Sequence, residues 1–295
     1  LPDGIAHADE RIFKDKNPSE NKDKDMLKQL LKIAGFAVMA MALGFAGFAG
    51  SAAQAQTDGG VLVFGGTGQL GSEIVEDLVA AGNKVTVMSR PTSNRERLEG
   101  LDVSFVVGDM LNDDDMKRIF TGGNYRVVVD ASAQGMGGDN AFYYQSQELI
   151  TKHAKETGVK QIILHGAIGA GDSARLINIE EVFEFQQTAI AAKSIAEDVL
   201  TGSGVPYTII RHLSLLADGS VESGEAMLSR DLTTVGPVTR DGLARLTLEC
   251  VDNADCLNTI FHAVDLAYDL GDGAERFYDM YERVVKPEFF TRPDK

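Results

Sequence analysis

The sequence has no tryptophan, 2 cysteines, 5 histidines and only 28 basic residues against 44 acidic ones. Cys250 and Cys256 stand with five residues between them, no second cysteine pair exists and His262 is the one histidine nearby, so the cysteine and histidine spacings of zinc sites are missing and no metal is expected. In an oxidising compartment the two thiols can pair across a helix end and its loop; the other reading is two buried free thiols, and spacing does not choose between them. The first 55 residues hold 7 basic and 7 acidic side chains, which cancel, so the remainder carries the whole net charge of −16. A surface of that sign repels nucleic acid and anionic membranes. No internal repeat or low-complexity linker interrupts the chain, and no twin-arginine pair precedes its apolar N-terminal stretch, which argues against export in the folded state.

What is present is enough apolar material for a large core, 44% of 295 residues. The N-terminal region stands outside it. Residues 1–25 are charged and poor in large apolar side chains, so they read as a disordered leader, or as sequence upstream of a start at Met26. From Met26, Lys28 and Lys32 form a basic region, Ile33 to Gly50 is uncharged, and Ala53-Gln54-Ala55 is a small-x-small cleavage site before Gln56. Residues 26–55 therefore read as a signal peptide for an exported, periplasmic protein. The alternative is that Ile33 to Gly50, rich in Ala and Gly, is retained as a membrane anchor.

Directly behind this segment, Val61-Leu62-Val63-Phe64 is a short apolar strand, and Gly65-Gly66-Thr67-Gly68-Gln69-Leu70-Gly71 turns it into a helix. A strand buried on both faces needs bulky residues throughout. Spaced glycines let backbone N–H groups approach a pyrophosphate at the positive end of the helix, an approach that a side chain at Gly65 or Gly68 is expected to block. Ile74, Leu78 and Val79 follow at helical spacing, Gly82 ends the helix, and Lys84 to Met88 is a second strand. A βαβ unit built on such a turn predicts a dinucleotide site through Gly65, Thr67, Gly68, Gln69, Leu70 and Gly71.

The alternation continues with strands at Val103 to Val107, Arg126 to Ala131, Gln161 to His165 and Tyr207 to Arg211. Between them lie helices at Asn112 to Phe120, Asn140 to Glu156 and about Ile179 to Thr201. This predicts an α/β fold, a doubly wound parallel sheet of the Rossmann kind, over residues 56–211. A looser Gly- and Ser-containing segment follows, then a helix from Asp241 to Cys250, a strand from Asn258 to Val264 and a helix near Ala274 to Val285. Residues 212–295 are expected to form a small lobe over the carboxyl ends of the strands, where it would complete a substrate pocket.

From about Val61 to Val264 the chain resembles the atypical short-chain dehydrogenase/reductase superfamily, in particular its NmrA-like NAD(P)-binding branch. The resemblance rests on the GGTGxxG turn, on Gly108-Asp109 at the end of the third strand, on Gly204-Val205-Pro206-Tyr207-Thr208-Ile209-Ile210-Arg211, and on Thr239-Arg240-Asp241-Gly242-Leu243-Ala244. It implies that Asp109 contacts adenine. At the end of the second strand, where an acid would bind the ribose hydroxyls of NAD, stands Ser89-Arg90, with Arg95 and Arg97 nearby and Glu96 the nearest acid. Arg90 there favours NADP over NAD through its 2′-phosphate.

The reducing members of this superfamily use a Ser, a Tyr and a Lys, the last two four residues apart on one helix. Lys193 stands on the expected helix and is expected to hold the ribose or serve as acid and base, but Ala189 occupies the Tyr position, and Gly166 and Ala167 occupy that of the Ser. Isoflavone-reductase-like relatives resemble this pattern in relying on a Lys alone. His165 is the other candidate proton donor, and His212 a weaker one. Two readings stay open: an NADP-dependent oxidoreductase of an unidentified small molecule, and a non-catalytic dinucleotide sensor or partner-binding scaffold.

Overall fold

The computed structural model describes residues 59–135, 137–216, 226–265 and 274–290. The expected leader, the expected signal segment with Ala53-Gln54-Ala55, and most of the looser segment after Leu216 lie outside them. Residues Thr57–Lys295 form one compact unit.

Ten strands and six α-helices make up its framework: β1 (Gly60–Phe64), α1 (Gln69–Ala80), β2 (Val85–Ser89), β3 (Val103–Val107), α2 (Asp113–Gly122), β4 (Tyr125–Asp130), α3 (Phe142–Thr157), β5 (Gln161–Ala167), α4 (Glu184–Gly202), β6 (Tyr207–His212), β7 (Ser214–Leu216), β8 (Ala226–Ser229), β9 (Pro237–Thr239), α5 (Arg240–Cys250), β10 (Thr259–Asp265) and α6 (Ala274–Val284), counted among the described residues. Eight strands pair in the order β3-β2-β1-β4-β5-β6-β10-β8, all parallel except β8, and β7 and β9 pair separately. The chain runs outward from β1 to β3, then returns to β4 on the other side of β1. That reversal opens a crevice at the carboxyl ends of β1 and β4, where ligands of such sheets bind.

Alternation along β1 assigns its side chains to two cores. Val61 and Val63 face Ile74, Val75 and Leu78 of α1 and Leu243 of α5, while Leu62 and Phe64 face Met116, Ile119 and Phe120 of α2 and Ile150 of α3. All four are fully buried, which is why the strand reads as an unbroken apolar run. Each such side chain contributes about 1.5–3 kcal/mol on burial.

Residues after Arg211 do not form the separate lobe expected from residue 212 onward. β10 pairs with β6 and β8 with β10, so the chain returns to the sheet, and α5 packs beside α1. The reason is chemical: Phe261, Ala263 and Val264 are a buried strand that needs an edge to pair with, and β6 offers one. Only α6 and the loops beneath it make a third core, with Ile168, Leu176, Ile177, Tyr281 and Val285. The helix expected from Ile179 begins later, at Glu184. Ile179–Glu181 is a 3-10 turn and Phe183 is extended, because Ile177 bridges to Val285 and the Asn178 N–H donates to the Val284 carbonyl.

Cys250 and Cys256 are joined in a disulfide, with Cα atoms 5.4 Å apart. Gln161 Nε2 donates to the Cys250 carbonyl and Thr208 Oγ1 to the Cys256 carbonyl, so the bridge ties α5 to the starts of β5 and β6, away from the crevice. Among the described residues no helix is long and apolar enough to cross a membrane.

Candidate active site

The glycine turn closes on itself. Gly65 has φ +74°, and a Cβ there would lie 2.5 Å from the Ala131 carbonyl oxygen of the neighbouring strand end; a Cβ on Gly71 would lie 2.2 Å from the Gly65 oxygen. A Cβ on Gly68 would meet only that oxygen, at 3.1 Å. The expected roles therefore separate: Gly65 and Gly71 are required by the chain's own packing, and Gly68 leaves room for a ligand. Asn112 and Thr239 cap α2 and α5 with their side chains, whereas Gly68 begins α1 with no side-chain cap, so the positive end of α1 faces the crevice bare.

A cavity of about 650 Å³ fills this crevice and is lined by Gly65, Thr67, Gly68, Gln69, Leu70, Gly71, Arg90, Asp109, His165 and Lys193. All ten residues expected to form the site thus converge. At its far end Asp109 accepts from the Leu111 N–H at 2.9 Å. Of the three arginines after β2 only Arg90 lines the cavity; its N–H donates to Ser93 Oγ at 3.1 Å, and Ser93 lines the same wall. Arg95 turns back, donating to Ser89 Oγ at 2.8 Å and stacking 4.3 Å from the Phe105 ring centroid.

At the other end Lys193 Nζ donates to the His165 carbonyl at 3.1 Å and lies 4.7 Å from the Tyr143 ring centroid. Burial lowers the Lys193 pKa, opposed by the carboxylates of Asp130 and Glu197. Asp130 is itself pushed up by burial, with hydrogen bonds from Ser132 and the charge of Lys193 acting the other way. Tyr143, whose hydroxyl accepts from the Gln134 N–H at 3.1 Å, was not legible as a site residue. Its only sequence signal is its place at the start of the helix that follows β4, a strand whose end lines the cavity. Arg240, the first residue of α5, and Ser93 also line it and were likewise missed.

The absent serine has a structural cause. A Cβ at Gly166 would lie 2.7 Å from Glu197 Oε1 and 3.1 Å from Arg211 Cγ. Glu197 and Arg211 form a buried pair, Nη2 to Oε2 at 2.7 Å and Nε to Oε1 at 3.1 Å, with Asp172 on Nη1. A charged pair occupies the space that a serine side chain would need.

His165 does not suit the proton-donor role. Burial, reinforced by the Lys193 charge, lowers its pKa to about 3, so it is neutral near pH 7. Thr247 Oγ1 spends its proton on the Leu243 carbonyl at 2.7 Å, so at 3.2 Å from His165 Nε2 it accepts. Nε2 therefore carries the hydrogen and Nδ1 is a bare acceptor. Nδ1 of His165 and Nδ1 of His212 both lie buried without a partner, and both residues line the cavity. His212 is held neutral in the same way, chiefly by burial.

A bare helix start, a cleft that a Gly68 side chain would narrow, and at the opposite end an orphaned acceptor on His165 beside the unpartnered His212 Nδ1 fit a dinucleotide lying across the strand ends. The fold and site define an NAD(P)-binding protein of the atypical short-chain reductase type. The chain belongs to the family described as NAD(P)H-binding, whose model matches residues 65–254. It is 24% identical to a sanguinarine reductase of Eschscholzia californica over 75% of this chain and 86% of the relative. Among solved structures it is similar to an anaerobillin reductase from Escherichia coli O157:H7, with TM-score 0.59, 23% identity, and 70% and 97% of the two chains covered. It is also similar to a wide-type short-chain dehydrogenase/reductase from Veillonella parvula in complex with NADP, with TM-score 0.57, 18% identity, and 70% and 94% covered.

Proposed function

We propose that this protein is an NADP-dependent reductase of a small organic molecule, acting after export in an oxidising compartment. The observation that carries the reading is the position of Lys193. It lines both the dinucleotide cavity and a second cavity of about 490 Å³, so one ammonium group reaches the cofactor and whatever lies beside it. The bound dinucleotide supplies the hydride. Lys193, partly desolvated and poised below the ordinary lysine range, delivers a proton to the substrate oxygen, and the Tyr143 ring stabilises its charge. Neutral His165 and His212 offer acceptors that orient bound groups. Two relatives carrying the name reductase support the reaction class.

Arg90 and Ser93 are the groups for a 2′-phosphate, a preference in keeping with the NADP complex of a structural neighbour. Export is supported by the Ala53-Gln54-Ala55 cleavage site and by a disulfide that a reducing cytoplasm would not maintain. N-terminal sequencing of the secreted protein tests it: a start at Gln56 is expected, and a retained Ile33 to Gly50 would mean an anchor.

A titration of the full chain with NADPH and NADH, read by nicotinamide fluorescence, tests the binding half, since no tryptophan contributes a competing signal. Tighter NADPH binding is expected. Tight binding without turnover of any carbonyl compound would instead leave a dinucleotide sensor, the reading that Ala189 and Gly166 favour.

A further inference from the structure

The second cavity has a wall that the dinucleotide site does not explain. Among the described residues three of the seven exposed large apolar side chains, Ile179, Phe183 and Phe185, fall within one seven-residue stretch before and at the start of α4. Phe183 is 70% exposed and Phe185 43%, and both line the second cavity. Their rings lie within 16° of parallel, with centroids 6.3 Å apart. Exposing such rings is unfavourable unless something covers them, and parallel faces are covered best by another flat ring.

Beside these rings the described lining of the cavity is small-sided. Ala189 lies on the same cavity one turn of α4 before Lys193, and Gly135, Gly137 and Gly138 add no side chains to it. The two cavities share Gln134, Tyr143, Lys193 and His212 as common walls. Among the described residues the charged groups on the second cavity besides Lys193 are Glu181 and Arg283, which pair with one another at 3.7 Å.

We propose that the second cavity binds a flat, multi-ring, largely apolar molecule, stacked along Phe183 and Phe185 and extending past Ala189 so that one edge reaches Lys193 and His212. The volume of about 490 Å³ is that of a site for one such molecule. This deepens the reductase reading by naming its substrate class, and only the assignment of the reacting edge rests on that reading.

The test is calorimetric titration of the full chain with 9,10-phenanthrenequinone, a three-ring planar diketone, and with butane-2,3-dione, which has the same reactive group and no rings. The quinone is expected to bind and the dione not. Phe183→Ala and Phe185→Ala should each weaken the quinone about tenfold while leaving NADPH affinity unchanged. Ala189→Phe should exclude the quinone by filling its path. Quinone binding that ignores both phenylalanine substitutions overturns the assignment, as does a chain that binds NADPH normally and the quinone not at all. A loss of self-association on Phe183→Ala with quinone affinity unaltered would also overturn it, showing the rings to be covered by a second copy. Quinone binding by a chain that fails to bind NADPH would sink the reductase reading and leave the cavity assignment standing.

Discussion

Where β1 ends the cavity is walled by backbone: Gly65, Gly68 and Gly71 leave a bare helix start within seven residues. Where β5 and β6 end it is walled by side chains, with Tyr143, His165, Lys193 and His212 arriving from four separate elements. The two ends tolerate change differently. A backbone site has no side chain to exchange, so it either keeps its glycines or fails. A side-chain site can lack members singly, and this one has Ala189 where the resemblance expects a tyrosine and Gly166 where it expects a serine. At Gly166 the Glu197–Arg211 pair fills the space that a side chain would need.

The largest effect should come from the side-chain end. Lys193→Ala is expected to lower the rate of carbonyl reduction by about 10²–10⁴-fold, the usual worth of a positioned proton donor, in steady-state assays with NADPH. An undiminished rate would move the proton to another group. In the wild type, loss of the ammonium form makes the rate fall as pH rises through a lowered lysine pKa, so the alkaline decline should begin below the 10.5 of a free lysine.

At the backbone end, Gly68→Val should weaken NADPH and NADH alike by about 100-fold, or near 2.7 kcal/mol, with circular dichroism unchanged. Gly71→Val, placed against the Gly65 carbonyl, should unfold the turn instead. If both variants behaved the same, the separation of roles within the turn would fail.

Stability in acid probes the buried histidine. His165 titrates near 3 in the fold against about 6.5 when unfolded, so between those values the unfolded chain takes up more protons. Its contribution is whole above pH 6.5 and is lost as pH falls towards 3, the loss reaching about 2 kcal/mol at pH 5. Denaturation at pH 7 and pH 5 should show His165→Gln losing less stability than the wild type by that amount. Asp130 and Glu197, pushed up by burial, act in the opposite sense, but equally in both proteins.

The smallest effect is selectivity. Arg90→Glu should weaken NADPH about tenfold and spare NADH, and equal losses for both would remove the 2′-phosphate assignment.

The glycine end of the cavity was legible because its information is local. Seven consecutive residues carry a strand end, a turn and a helix start, and Asp109 and Arg90 sit at strand ends recognisable by their apolar runs. Tyr143 was not legible, since nothing in Phe142-Tyr143-Tyr144 says which ring turns inward; its meaning depends on Lys193, fifty residues later, lying 4.7 Å from its face. Arg95, close to Arg90 in the sequence, is held away from the cavity by Phe105 and Ser89, which nothing in its local sequence indicates.

The sequence by itself determined the class of fold and the glycine turn, because periodicity and backbone freedom are properties of neighbouring residues. The tertiary structure alone decided that β8 and β10 rejoin the sheet, that Cys250 and Cys256 pair, that His165 is neutral and that Phe183 and Phe185 face a cavity. Strand pairing, desolvation and ring exposure depend on what the distant chain brings alongside, and no local pattern encodes that.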